Sequence, residues 1–158
     1  MAILKNRVLG FVGVDSGQIM LGDPCYLRDW KDTPYNDVRM YKLVENGKVV
    51  DTLTYPTDFT NYENIIPRYG KTMNQLLQDD THTFEEVKQP PSGDYSYQGA
   101  CEATTTEAQG GELGNALAVC TSTGYGDGMY PVIATYTPDG RVAAVEIKFI
   151  PEEEYTWA

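Results

Sequence analysis

Apolar positions recur along most of this chain at intervals of two, the period of a β-strand whose alternate side chains face opposite sides of a sheet. Residues 7–14 are rich in β-branched and aromatic side chains, Asp15-Ser16-Gly17 supplies turn chemistry, and residues 18–21 form a second apolar run. That pattern predicts a β-hairpin. A second hairpin is predicted where residues 38–44 pass through Asn46-Gly47 into residues 48–53, because Asn and Gly tolerate the positive φ angles of a type I′ turn. A third closes the chain, with residues 132–136 meeting Pro138-Asp139-Gly140 and returning over residues 141–150. In the return strand Val145, Ile147 and Phe149 share one face, while Glu146 and Lys148 share the other.

Spacings of three and four appear only at Tyr62, Ile65, Ile66, Tyr69, Met73, Leu76 and Leu77. Thr60 and Glu63 have capping-box spacing, but Pro67 and Gly70 interrupt the run, so two short helices are predicted there, covering one face of the sheet. Residues 88–93, with Pro90-Pro91, are a linker; 95–105 and 117–121 are further strands; the polar stretch 107–114 is a loop. The expectation is one β-rich α+β domain over residues 1–158, an antiparallel hairpin sheet or small sandwich with two short helices.

A chain of 158 residues can bury a full core without metal or disulfide, and its 41% hydrophobic and 22% charged content is that of ordered globular proteins. Residues 1–7 lack a signal-type apolar run, and no segment approaches membrane-spanning length; the expectation is a cytoplasmic protein with no membrane partner. Cys25, Cys101 and Cys120 are odd in number and widely spaced, so free thiols in a reducing compartment are expected. The net charge of −11 opposes binding to duplex nucleic acid. That charge is uneven. Residues 1–79 hold nine Lys and Arg against ten Asp and Glu, whereas residues 80–158 hold three against thirteen. A pocket for an anion would therefore draw on Arg7, Arg28, Arg39, Arg68 and Lys71.

Two segments carry residue choices that packing does not explain: Val14-Asp15-Ser16-Gly17 running on to Gly22-Asp23-Pro24-Cys25-Tyr26, and Ser122-Thr123-Gly124-Tyr125-Gly126-Asp127-Gly128-Met129-Tyr130-Pro131-Val132. They resemble a family of uncharacterised bacterial and phage proteins with a Val-Asp-Ser-Gly element and a Gly-x-Gly-Asp-Gly-x-Tyr-Pro element before a final hairpin. The resemblance implies a partly β fold and a phage or bacterial source, and no activity.

Gly124, Gly126 and Gly128 permit a tight backbone excursion whose N–H groups can form an anion nest, while Asp127 can hold a cation or bond the loop's own amides. No helix follows, so this is not a dinucleotide fingerprint. Cys25 lacks a base to hold it as thiolate and reads as a half-buried structural thiol; Cys101 and Cys120 read as core; His82 reads as a solvated loop residue. Asp15, Asp23, Asp127 and Asp139 are oxygen ligands in type, yet each is also a turn residue, and one histidine without paired cysteines argues against zinc. Tyr95, Tyr97, Tyr125 and Tyr130 flank the glycine-rich loops and suit either a recognition surface or half-buried strands. The tail carries a solvated charge run at 152–154, with Trp157 placed to pack back.

These residues suggest a non-enzymatic binding module for a small phosphorylated ligand, such as a nucleotide signal used in host defence, with no cofactor and no metal. Its site would comprise Asp23, Tyr26, Arg28, Arg68, Lys71, Gly124, Tyr125, Gly126, Asp127 and Tyr130. Two other readings stay open: a metal-dependent phosphoester hydrolase using the four aspartates, which requires their convergence, and an acidic interaction module that mimics nucleic acid. Assembly of identical copies stays open as well.

Overall fold

The computed structural model describes residues 5–151. The acidic run 152–154 and Trp157 lie outside the described residues. In chain order the strands are β1 (Lys5–Val14), β2 (Gln18–Gly22), β3 (Arg39–Glu45), β4 (Lys48–Tyr55), β5 (Ile65–Ile66), β6 (Lys71–Thr72), β7 (Phe84–Glu86), β8 (Gly110–Leu113), β9 (Ala118–Ser122), β10 (Gly128–Tyr136) and β11 (Val142–Ile147). The helices are α1 (Met73–Leu77) and α2 (Tyr97–Thr104), with a 3-10 helix at Pro24–Asp29. The chain is thus a β-rich α+β protein of small antiparallel sheets. Backbone contacts group it into two compact units, one built from 5–33 with 91–151 and one from 34–90. The second boundary falls in the Pro-rich linker read from the sequence. Among the described residues no helix is long and apolar enough to cross a membrane.

The first unit is organised by one long antiparallel strand pair that bends. β1 pairs with β10, from Val14 opposite Gly128 to Lys5 opposite Tyr136, and β2 pairs with β9, from Gln18 opposite Ser122 to Gly22 opposite Ala118. The predicted first hairpin is therefore corrected: its two strands exist, but they enter different sheets, β1-β10-β11 and β2-β9-β8. Residues 15–17 turn the chain, with Gly17 at φ 64°, without pairing the flanking strands. Turn chemistry is local, whereas the choice of partner strand is not.

Helix α2 packs on the β2-β9-β8 sheet through Gly99, Ala100 and Ala103, small residues at helical spacing that let the backbone approach closely. The strand predicted over 95–105 does not form. Ser96 instead caps a helix, its Oγ accepting from Gly99 N–H at 3.0 Å, and residues 98–103 contain no β-branched side chain. Residues 110–113, read as loop, form β8. The core here is Tyr95, Ala100, Ala103, Leu113, Ala118 and Cys120, with Trp30 edge-on to Tyr95 at 5.1 Å. In β11 the predicted alternation holds, since Val145 opposes Ala134 and Ile147 opposes Val132, but Val145 remains exposed.

The second unit contains the sheet β4-β3-β7 and the two-stranded ribbon β5-β6. Asn46 (φ 49°) and Gly47 (φ 74°) make the turn that the sequence predicts. One short helix, α1, replaces the predicted two. Its capping box is Thr72 with Gln75, whereas the Asn61 side chain accepts from Glu63 N–H in a local turn. Pro67 and Gly70 sit within the turn between β5 and β6, where Tyr69 and Gly70 N–H both donate to Ile66 O. The core gathers Tyr41, Leu43, Leu53, Phe59, Ile66, Met73, Leu76 and Phe84.

Candidate functional site

The glycine-rich loop between β9 and β10 closes on itself and on the bend. Gly17 N–H donates to Asp127 Oδ1 at 2.8 Å, and Thr123 N–H donates to Gly17 O at 3.0 Å. Tyr130 O–H reaches Gly126 O at 2.6 Å and Thr123 O at 3.2 Å, and the Thr123 hydroxyl also donates to Gly126 O. A Cβ on Gly124 would stand 2.9 Å from Ile150, and Phe149 lies edge-on to Tyr130. Gly124, Asp127 and Tyr130 are thereby committed to holding the corner between two sheets. Gly126 (φ 101°) faces open space and Tyr125 is exposed.

Asp23 lies at the other end of the β2–β9 pair, where its Oδ1 accepts from Cys25 N–H at 2.8 Å and caps the 3-10 helix. The four-residue offset between Gln18 and Gly22 puts this end about 13 Å from the corner. Tyr26, Arg28 and Cys25 are all exposed there, so the thiol read as half-buried stands in solvent on a short surface helix. Arg28 and the glycine-rich loop do not meet. Cys101 is half-buried on α2, accepting from Gln18 Nε2 at 3.4 Å, and Cys120 is buried; all three cysteines are unpaired.

Arg68 and Lys71 belong to the 34–90 unit, and each already has a carboxylate. Arg68 Nε is 3.0 Å from Asp51 Oδ2 and its Nη2 donates to Thr52 O; Lys71 Nζ donates to Asp79. Tyr69 O–H also donates to Asp51, and burial with that carboxylate pushes its phenol up to about 12. His82 is corrected from solvated to half-buried: a turn over 79–82 brings Nδ1 within 3.3 Å of Asp79 Oδ2 and its ring edge-on to Tyr69. Lys71 first, then Thr81 and His82, hold the Asp79 carboxyl well below the usual carboxylate range. A depressed folded value stabilises the fold fully above the unfolded pKa and loses that contribution as pH falls through the folded one. An NMR titration of the Asp79 carboxyl is expected to show a midpoint clearly below the ~3.9 of unstructured aspartate. A midpoint at that value would mean that the network is open in solution.

The four aspartates do not converge. Asp127 and Asp15 are at the bend, Asp23 is at the far end of the β2–β9 pair, and Asp139 is in the β10–β11 turn, paired to Arg141 at 3.1 Å. Among the described residues no three His, Cys, Asp or Glu side chains gather as a metal-ligand set.

A cavity of about 450 Å³ lies elsewhere, lined by Lys5, Asn6, Arg7, Tyr136, Thr137, Pro138 and Gly140. Register builds it. Lys5 opposes Tyr136 and Arg7 opposes Ala134, so two cations about 7 Å apart along the strand share one sheet face with the phenol ring. Six of the twelve Lys and Arg residues hold a carboxylate: Lys31, Arg39, Arg68, Lys71, Arg141 and Lys148. Among the described residues Lys5 and Arg7 have no such partner. The sequence carried one signal for this site, a Lys-x-Arg at strand spacing. It could not name the opposing strand. The chain matches no protein-family model, and it is similar to no curated protein and no solved structure.

Proposed function

We propose that this protein is a non-enzymatic binding protein that holds a small phosphorylated ligand in the pocket between the start of β1 and the β10–β11 turn. The observation that carries the reading is the pair of cations, Lys5 and Arg7, that hold no carboxylate among the described residues and line a cavity in a chain of net charge −11. Local charge decides the matter at physiological salt, because the acidic remainder is screened beyond roughly 8 Å. Arg7 supplies a planar fork for two phosphate oxygens, Lys5 a compact charge, and Tyr136 a flat ring for the ligand's apolar body. A volume near 450 Å³ lies within the usual range of small-molecule sites and suits a nucleotide. The phage-type resemblance of the corner motifs makes a nucleotide signal of host defence the ligand class of choice, captured in the cytosol, where the three free thiols would stay reduced.

Isothermal titration against mono-, di- and cyclic nucleotides, with inorganic phosphate as reference, tests this directly. Arg7→Ala is expected to weaken binding by about 1.5–3 kcal/mol, the range for hydrogen bonds to charged groups. Arg28→Ala, on the distant 3-10 helix, should leave it unchanged. Absence of heat with every ligand, or equal loss in both variants, rejects the pocket.

A further inference from the structure

We infer that a second copy of this chain pairs antiparallel with β11, joining two β1-β10-β11 sheets edge to edge about a two-fold axis. Among the described residues β11 is an edge strand, so one side of its backbone offers N–H and C=O groups to a further strand. Residues 142–146 are exposed throughout, and neither Pro nor Lys occurs within Val142–Ile147. The opposite edge, β1, is guarded by Lys5 and Arg7 and lacks this neutrality.

The register of β11 favours the same pairing. In a regular strand, antiparallel self-pairing can oppose only residues an even number apart, because outward-facing backbone groups alternate with period two. Ala143 is an extra residue in β11, since Tyr136 opposes Val142 while Thr135 opposes Ala144. That bulge shifts the parity and makes odd separations face-consistent. One such register sets Val142 against Val145 and Arg141 against Glu146 of the other copy, each pair twice by symmetry. Val142 and Val145 already share the sheet face that also carries Tyr136 and Ala134, so the apolar pair forms on one side.

The charges along this edge are complementary as well. Within each copy Arg141 pairs with Asp139 at 3.1 Å, and Lys148 approaches Glu146 at 3.9 Å. In this register each Arg141–Asp139 pair lies across from the other copy's Glu146–Lys148 pair, giving two four-charge clusters of alternating sign. Residues 139–148 hold two cations and two anions, in a half of the chain that carries three against thirteen. Two such neutral segments can meet where most of the surface would repel.

Sedimentation of the full chain tests the interface. Wild type at about 100 µM, a concentration that populates a micromolar complex, should sediment at twice 17.6 kDa. Arg141→Glu and Glu146→Arg should each weaken the dimer about tenfold or more, because each sets like charges opposite one another twice. The two residues are about 16 Å apart along one strand and cannot pair within one copy. The double variant Arg141→Glu/Glu146→Arg should therefore recover the dimer. A monomeric wild type, or a dimer indifferent to both single changes, overturns the inference. Both side chains are largely exposed, so circular dichroism should find every variant folded.

Discussion

Gly99→Ala is expected to destabilise the protein by about 3 kcal/mol, although alanine is the better helix former by roughly 1 kcal/mol. An added Cβ would stand 2.0 Å from Asp94 O, 2.8 Å from Asp94 C and 3.0 Å from Asp94 N. All three atoms are backbone, so no side-chain rotation relieves the clash. The segment carrying them is itself tied down. Ser96 N–H donates to Asp94 O at 2.9 Å, Lys31 N–H donates to Tyr95 O at 3.0 Å, and Lys31 bridges Ser96 in parallel. Relief must therefore come from lifting α2, whose buried face is Gly99, Ala100 and Ala103, off the β2-β9-β8 sheet. Gly10→Ala is the matched control, with nothing within 4 Å of its added Cβ, and should stay within about 0.5 kcal/mol of wild type. Urea midpoints compared at constant m-value report both changes. An unchanged midpoint for Gly99→Ala would show that the 94–96 segment moves freely.

The contrast between two turns explains how much of this fold the sequence carried. Asn46-Gly47 both bends the chain and dictates that its flanking strands pair, since a two-residue turn sets them side by side. Asp15-Ser16-Gly17 bends the chain equally well, yet its flanks pair with strands about a hundred residues or more later. No local pattern distinguishes the two cases. The same limit hid the candidate site: Lys5 and Arg7 were legible as cations, but Tyr136 and Gly140 join them only through the β1–β10 register. The misread helix α2 has a different cause. Tyr95, Tyr97 and the threonines at 104–106 favour strands by composition, while the capping serine and three small residues at helical spacing determine the outcome.

The Gly-x-Gly-Asp-Gly element also shows how one residue set serves two chemistries on paper and one in space. Loop carbonyls at Thr123 and Gly126 accept from the Tyr130 phenol, and the Asp127 carboxylate is taken by Gly17 N–H. A carboxylate that accepts from a backbone amide across the bend fixes the angle between two sheets, and it sets a negative charge where an anion nest would need none. Between the bend and Lys5 the β1–β10 register shifts by one residue at Val8–Gly10, so the pairing of Lys5 with Tyr136 is set beyond that bulge.

In the 34–90 unit the largest loss is expected from Leu53→Ala, about 3–4 kcal/mol, as for fully enclosed leucines whose removal leaves a cavity. Leu53 is 0% exposed and opposes Tyr41 across the β3–β4 pair, so both project into the core of Leu43, Phe59, Ile66, Met73, Leu76 and Phe84. Four aromatic rings crowd this side, with Tyr41, Tyr55, Phe59 and Tyr62 in edge-on or tilted contacts at 5.2–6.3 Å. Rigid rings close a cavity less readily than flexible aliphatic chains, which keeps the loss in the upper part of the known range. Val50→Ala on the same strand, where Val50 is exposed, should cost only about 0.5 kcal/mol through lost strand preference. Amide exchange reads the difference, with Tyr41, Leu43 and Leu53 losing protection roughly a hundredfold or more in Leu53→Ala and hardly at all in Val50→Ala. Equal protection in the two variants would mean that the ring cluster refills the space, and that the core of this unit tolerates a missing leucine.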